Sequence, residues 1–136
     1  MLLPIRGYNK FGGKIMALSR TYILAAFAWL VAAMVFGIYI GIIGLTVQSN
    51  AHAHAGLLGF VASALFGLFH RNWPKMGTSK LALAQFVIYQ VGTVLLVVGK
   101  YQVDATGDSV IVAPGSIIVI AGTLLMAWLF ATRSAD

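Results

Sequence analysis

The chain has 136 residues, 60% of them hydrophobic, and its 9 Lys+Arg against 3 Asp+Glu give a formal charge of +6 while leaving only 9% of residues charged, far below the roughly 25% of ordinary soluble domains. At a mean hydropathy of +0.93, a 14.5 kDa globule has too much surface for its volume to hide its apolar groups, so lipid must be the solvent for much of it. The absence of cysteine excludes a disulfide framework, thiolate metal sites, iron–sulfur clusters and covalent c-type haem attachment.

Residues 1–20 carry Arg6, Lys10, Lys14 and Arg20 and read as a cytoplasmic segment lying on the membrane surface, suited to anionic headgroups. Between Arg20 and Arg71 there is no Lys, Arg, Asp or Glu. Fifty residues of helix would extend about 75 Å, whereas a bilayer core is about 30 Å thick. The run must therefore fold back, and Thr46-Val47-Gln48-Ser49-Asn50 is its polar corner. This predicts spans at 21–45 and 53–69, then at 81–99 and 110–132, with a tail at 133–136. The first apolar stretch is too long for a signal peptide and lacks a small-x-small cleavage site, so it reads as a retained span. Alternating polarity is absent, which excludes barrel strands. The expected fold class is all-α: one four-helix transmembrane bundle over 21–132.

Orientation follows from the basic residues. Eight of nine precede the first span, lie between the second and third, or follow the fourth; Lys100 alone falls elsewhere, beside Asp104 and Asp108. This bias predicts that both termini are cytoplasmic, as in a bacterial inner-membrane protein. Tyr22, Trp73 and Trp128 are then expected at the inner interface and Tyr101 at the outer one.

Three histidines are the candidates for metal ligation. His52 and His54 open the second span in Ala51-His52-Ala53-His54-Ala55, and an ionisable group at membrane depth points to function. Two residues apart is a rotation of about 200°, so in regular helix they face opposite ways and cannot chelate one ion. His70 shares the His52 face but lies about 27 Å away, among interfacial residues. Steps of three and four from His52 give Gly56, Gly59, Ser63, Gly67 and His70, a small-residue ridge for close helix packing or for a flat macrocycle. Steps from His54 give Leu58, Val61, Leu65 and Leu68, a bulky apolar face. Gly37 and Gly41 form a further small-xxx-small pair on the first span.

The segment AHAHAGLLGFVASALFGLFHRNWP, Ala51 to Pro74, resembles the second helix of the haem-copper oxidase subunit I superfamily, especially its nitric oxide reductase-like branch, where a His-x-Asn-Leu-Leu-type sequence supplies an axial imidazole. The resemblance implies haem b with His54 as ligand, although Gly56 stands in place of the Asn. The other haem and copper ligands of the oxidases have no counterpart, so the expectation is an accessory cytochrome with a redox or gas-ligand role. In architecture the chain also resembles styrene oxide isomerases, small four-helix membrane proteins with haem b held between subunits, whose ferric iron acts as a Lewis acid on the epoxide oxygen. That resemblance makes His52, followed by Leu57 and Gly59, the alternate ligand and implies an apolar small-molecule substrate. The isomerases' Asn falls on Leu58 or Phe60 and their Tyr near Val97, and neither residue is kept.

The expected cofactor-binding set is thus His54, His52, Gly56, Gly59 and Ser63, with His54 or His52 on the metal and self-association completing the pocket. A competing class is non-enzymatic: a His-x-His site capturing Cu or Zn, or a purely structural subunit. In the third span Gln85, Tyr89, Gln90 and Thr93 are expected to hydrogen-bond across helices. No carboxylate lies inside a span, so carboxylate acid–base catalysis and carboxylate-bridged di-metal sites are unsupported. The positive-inside rule accounts for the basic residues without nucleic acid.

Overall fold

Backbone N–H and C=O groups in an apolar medium must find partners within their own segment, and the computed structural model meets that demand with helices. It describes residues 10–134, with side chains from Ala17 onward. Helix α1 is Lys10–Ile43. Helix α2, Thr46–Asn72, is composite: a 3₁₀ turn at Thr46–Gln48, an α-helical turn at Ser49–His54, a π-helical stretch at Ala55–Ala62 and an α-helical end at Ser63–Asn72. A 3₁₀ connector, Pro74–Thr78, leads to α3, Lys80–Thr106, and α4 is Val112–Arg133. Among the described residues there is no strand. Ala17–Ile43 and the other three helices are each long and apolar enough to cross a bilayer, which makes this an integral membrane protein of four spans.

Helix ends follow local chemistry. Gly44, at φ 72°, stops α1, and Leu45 N–H donates to the Ile40 carbonyl at 3.0 Å, the i to i−5 bond of a Schellman cap. The fold-back therefore occurs at Gly44-Leu45, and Thr46, expected in the corner, already begins α2. Ser79 caps α3 by accepting from Leu81 N–H at 3.2 Å. Gly107, at φ 78°, ends it, with its N–H on the Val103 carbonyl at 2.8 Å.

Two expectations at the Arg20 end of the bundle are corrected. Residues from Lys10 onward, read as a surface segment, continue α1 as one helix; residues 1–9 lie outside the described chain. Tyr22, expected at the interface, is 0% exposed and belongs to a core cluster with Leu18, Met76, Ala82, Met126 and Leu129. Its ring packs edge-on against Phe66 and Phe86, and its hydroxyl donates to Gln85. Trp128 and Tyr101 do remain substantially exposed.

Helices α3 and α4 pack at backbone distance. A Cβ on Gly92 would lie 2.7 Å from Val119 N, one on Gly115 2.6 Å from Leu96 N, and one on Gly122 2.9 Å from the Tyr89 Cα; on Gly99 it would overlap Val112. With no hydrophobic driving force between helices in lipid, such close van der Waals contact is what holds them. The opposite faces of the bundle present Leu24, Phe27, Val31, Val35, Ile38, Leu83, Ile117 and Leu124 outward, as lipid contact requires.

Candidate functional site

The N-terminal half of α2 holds the candidate ligands, and its winding decides where each one points. Ala51, Ala55, Gly59, Ser63 and Gly67 are all buried, four residues apart. In a regular α-helix that spacing drifts by about 160° over sixteen residues. The wider i to i+5 turns of the π-helical stretch absorb the drift and keep one face inward. The ridge expected from regular winding is therefore right at Gly59, Ser63, Gly67 and His70, whereas Ala55 and Ala51 take the places expected for Gly56 and His52.

His52 turns toward α1. Its ring lies on Gly37, where a Cβ would come within 2.8 Å of Cε1, and its centroid is 6.3 Å from that of Phe36. Its Nδ1 is buried without a hydrogen-bond partner among the described residues. Phe36 in turn contacts Tyr101 at 6.1 Å between centroids, and the buried Gln48 donates from Nε2 to the Tyr101 carbonyl at 3.3 Å. His52 is thus built into the α1–α2–α3 junction.

His54 turns the other way and is only partly buried. Its Nδ1 lies 2.7 Å from the Asn50 carbonyl. A carbonyl cannot donate, so Nδ1 carries a proton, which in the neutral tautomer leaves the lone pair on Nε2. Next to it, the space a Cβ on Gly56 would occupy is open, and Leu57 and Val61 are exposed. The two imidazoles are therefore held apart, as their two-residue spacing predicts.

Gly59 and Ser63, expected beside the cofactor, serve packing instead. A Cβ on Gly59 would overlap the Trp29 indole. The Ser63 hydroxyl accepts from Gln90 Nε2 at 2.8 Å, and Gln90 Oε1 accepts from Trp29 Nε1 at 3.0 Å. The face of α2 that carries them is filled by Trp29 and Gln90.

The polar residues of α3 do bond across helices. Tyr22 donates to Gln85 Oε1, and Gln85 Nε2 donates to the Gly122 carbonyl at 3.0 Å. Tyr89 Oη donates to the Leu58 carbonyl, inside the π-helical stretch, at 3.0 Å. Thr93 differs, since its hydroxyl returns to the Tyr89 carbonyl of its own helix at 2.9 Å.

His70, expected at the interface, is 0% exposed and stacks on Tyr22 with centroids 5.6 Å apart and planes inclined by 20°. The connector Pro74–Thr78 folds against α1 and places the fully buried Met76 in the same cluster, which encloses this end of α2. The only hint of this in the sequence is Pro74, which breaks the helix and forces a turn there.

Comparison with known protein families, with curated proteins and with solved structures finds no match for this chain. Among the described residues there is also no group of three or more His, Cys, Asp or Glu side chains placed to hold a metal ion.

Proposed function

We propose that this chain is a haem b-binding integral membrane protein, an oxidase-like accessory cytochrome with a redox or gas-ligand role, with His54 as its axial ligand and both termini in the cytoplasm of a bacterial inner membrane. The observation that carries the reading is the Nδ1 bond of His54 to the Asn50 carbonyl. A second-sphere carbonyl of this kind fixes the tautomer and orientation of a ligating imidazole and raises its basicity. The residues present fit a macrocycle on one side: Gly56 leaves room, and Leu57 and Val61 offer apolar contact. Because this flank faces outward, the reading requires a second copy of the chain to cover the opposite side. His52 is the weaker candidate, since freeing its ring would mean dismantling its seat on Gly37 and Phe36. Haem, when bound, supplies a redox-active iron or a gas-binding position; the protein contributes the imidazole, the apolar wall and the exclusion of water.

Detergent-purified protein, expressed with ample haem, should show a Soret band that His54→Ala removes and His52→Ala retains. A missing Soret band in the wild type overturns the reading, and metal analysis then tests the Cu or Zn capture alternative. Incubation with styrene oxide tests the other. Phenylacetaldehyde formed by the ferric protein, and lost in His54→Ala, would make it an epoxide isomerase.

A further inference from the structure

At the inner end of the bundle, far from His54, the connector and the end of α4 border an open cleft of about 440 Å³ lined by Lys75, Thr78, Trp128, Thr132 and Arg133. A second cleft of about 260 Å³ adjoins it, shares Lys75 and Arg133, and adds Asn72, Trp73, Pro74 and Ser134. Two cations thus line both hollows, and among the described residues no carboxylate does. Among the described residues the only ion pair is Lys100–Asp104, 3.0 Å apart at the opposite end of α3. Two cations held across a hollow call for an anion between them.

The surroundings say which kind of anion. Trp128 is 47% exposed at the rim, where an amphipathic indole sits at headgroup level. One and two turns deeper on the same face of α4, Leu124 and Ile120 are exposed by 65% and 58%. The cationic cleft therefore runs directly into an uncovered apolar strip pointing toward the membrane centre. A free phosphate would use the first feature and leave the second without purpose; a phospholipid uses both. We propose that this cleft binds an anionic phospholipid, its phosphate between Lys75 and Arg133, its glycerol region against Trp128 and an acyl chain along Leu124 and Ile120. Basic pockets between helices at a membrane surface recognise anionic headgroups in this manner. The inference is independent of the haem reading and holds whether or not a cofactor binds at His54.

The test titrates the detergent-solubilised full chain with phosphatidylglycerol and with phosphatidylcholine and reads retained lipid by native mass spectrometry. All the altered side chains are exposed, so the fold is expected to persist. Phosphatidylglycerol should bind in preference, and Lys75→Gln or Arg133→Gln should each weaken it about fivefold. Lys80→Gln removes an equal charge at the same end but outside the cleft and should leave the preference intact. Equal retention of the two lipids overturns the proposal. So does an equal loss in all three variants, which would mean diffuse attraction to the basic surface. Displacement of the lipid by inorganic phosphate alone would reassign the cleft to a soluble anion and likewise overturn it.

Discussion

The two imidazoles of Ala51–Ala55 differ in what touches them, and that difference is testable side chain by side chain. A methyl on Gly37 meets the His52 ring at 2.8 Å, whereas one on Gly56 meets nothing within 4 Å. Gly37→Ala should therefore displace His52 and lower stability by about 1–3 kcal/mol, the usual effect of overpacking. Gly56→Ala should stay within about 0.5 kcal/mol. Thermal unfolding of the two purified variants checks the contrast. In the same core, Gln85→Leu strips the Tyr22 hydroxyl of its acceptor, and a loss of about 1 kcal/mol is expected, in line with interhelical hydrogen bonds in membranes. That His52 and His54 face opposite ways was legible from their spacing. Which of them faces inward was not, because it depends on Gly37, a residue of another helix. Tyr22 and His70 were misplaced for a related reason: an aromatic ring near basic residues reads as interfacial until a long-range stack is known to enclose it.

Among the elements, spans and polar bonding were readable and winding was not. Length and charge locate four helices to within a few residues at most ends, since lipid leaves the backbone no other choice. The ends that differ most are the start of α1, the start of α2 and the Thr106 end of α3, where a helix continues into polar sequence. The π-helical stretch has no apolar-period signature, because Ala-Gly-Leu-Leu-Gly-Phe-Val-Ala is apolar all round. The α3–α4 seam left a fainter trace: Gly92 and Gly99 are seven residues apart, and so are Gly115 and Gly122. Two such pairs on consecutive spans joined by a short loop are the signal for an intimate antiparallel hairpin. Gly115→Val should force α4 off the Leu96 backbone and lower the unfolding temperature sharply, with a loss of 2 kcal/mol or more expected from overpacking. Gly41→Val adds the same bulk where nothing lies within 4 Å. It should be nearly silent in the same measurement, and equal effects would show that added bulk, not the seam, sets the cost.

At the scale of the molecule, four crossings require both termini on one side, so orientation reduces to a single choice. Charge makes it. Arg20, Arg71, Lys75, Lys80 and Arg133 gather at one end of the bundle as exposed residues, while Lys100 at the other end is paired with Asp104. The second end thus offers little net positive charge to hold it in the cytoplasm, and the first offers a great deal. In the proposed orientation the cleft between Lys75 and Arg133 lies at the cytoplasmic leaflet, and His54 near the outer one. Because the chain has no cysteine, single introduced thiols report cleanly. In intact cells a membrane-impermeant maleimide should label Asn50→Cys, exposed near the start of α2, and should reach Gly12→Cys only after the membrane is opened. Labelling of Gly12→Cys alone would invert the molecule and carry both sites to the opposite leaflets. Labelling of both from one side would be incompatible with α1 crossing the bilayer, and with it the four-span architecture would fall.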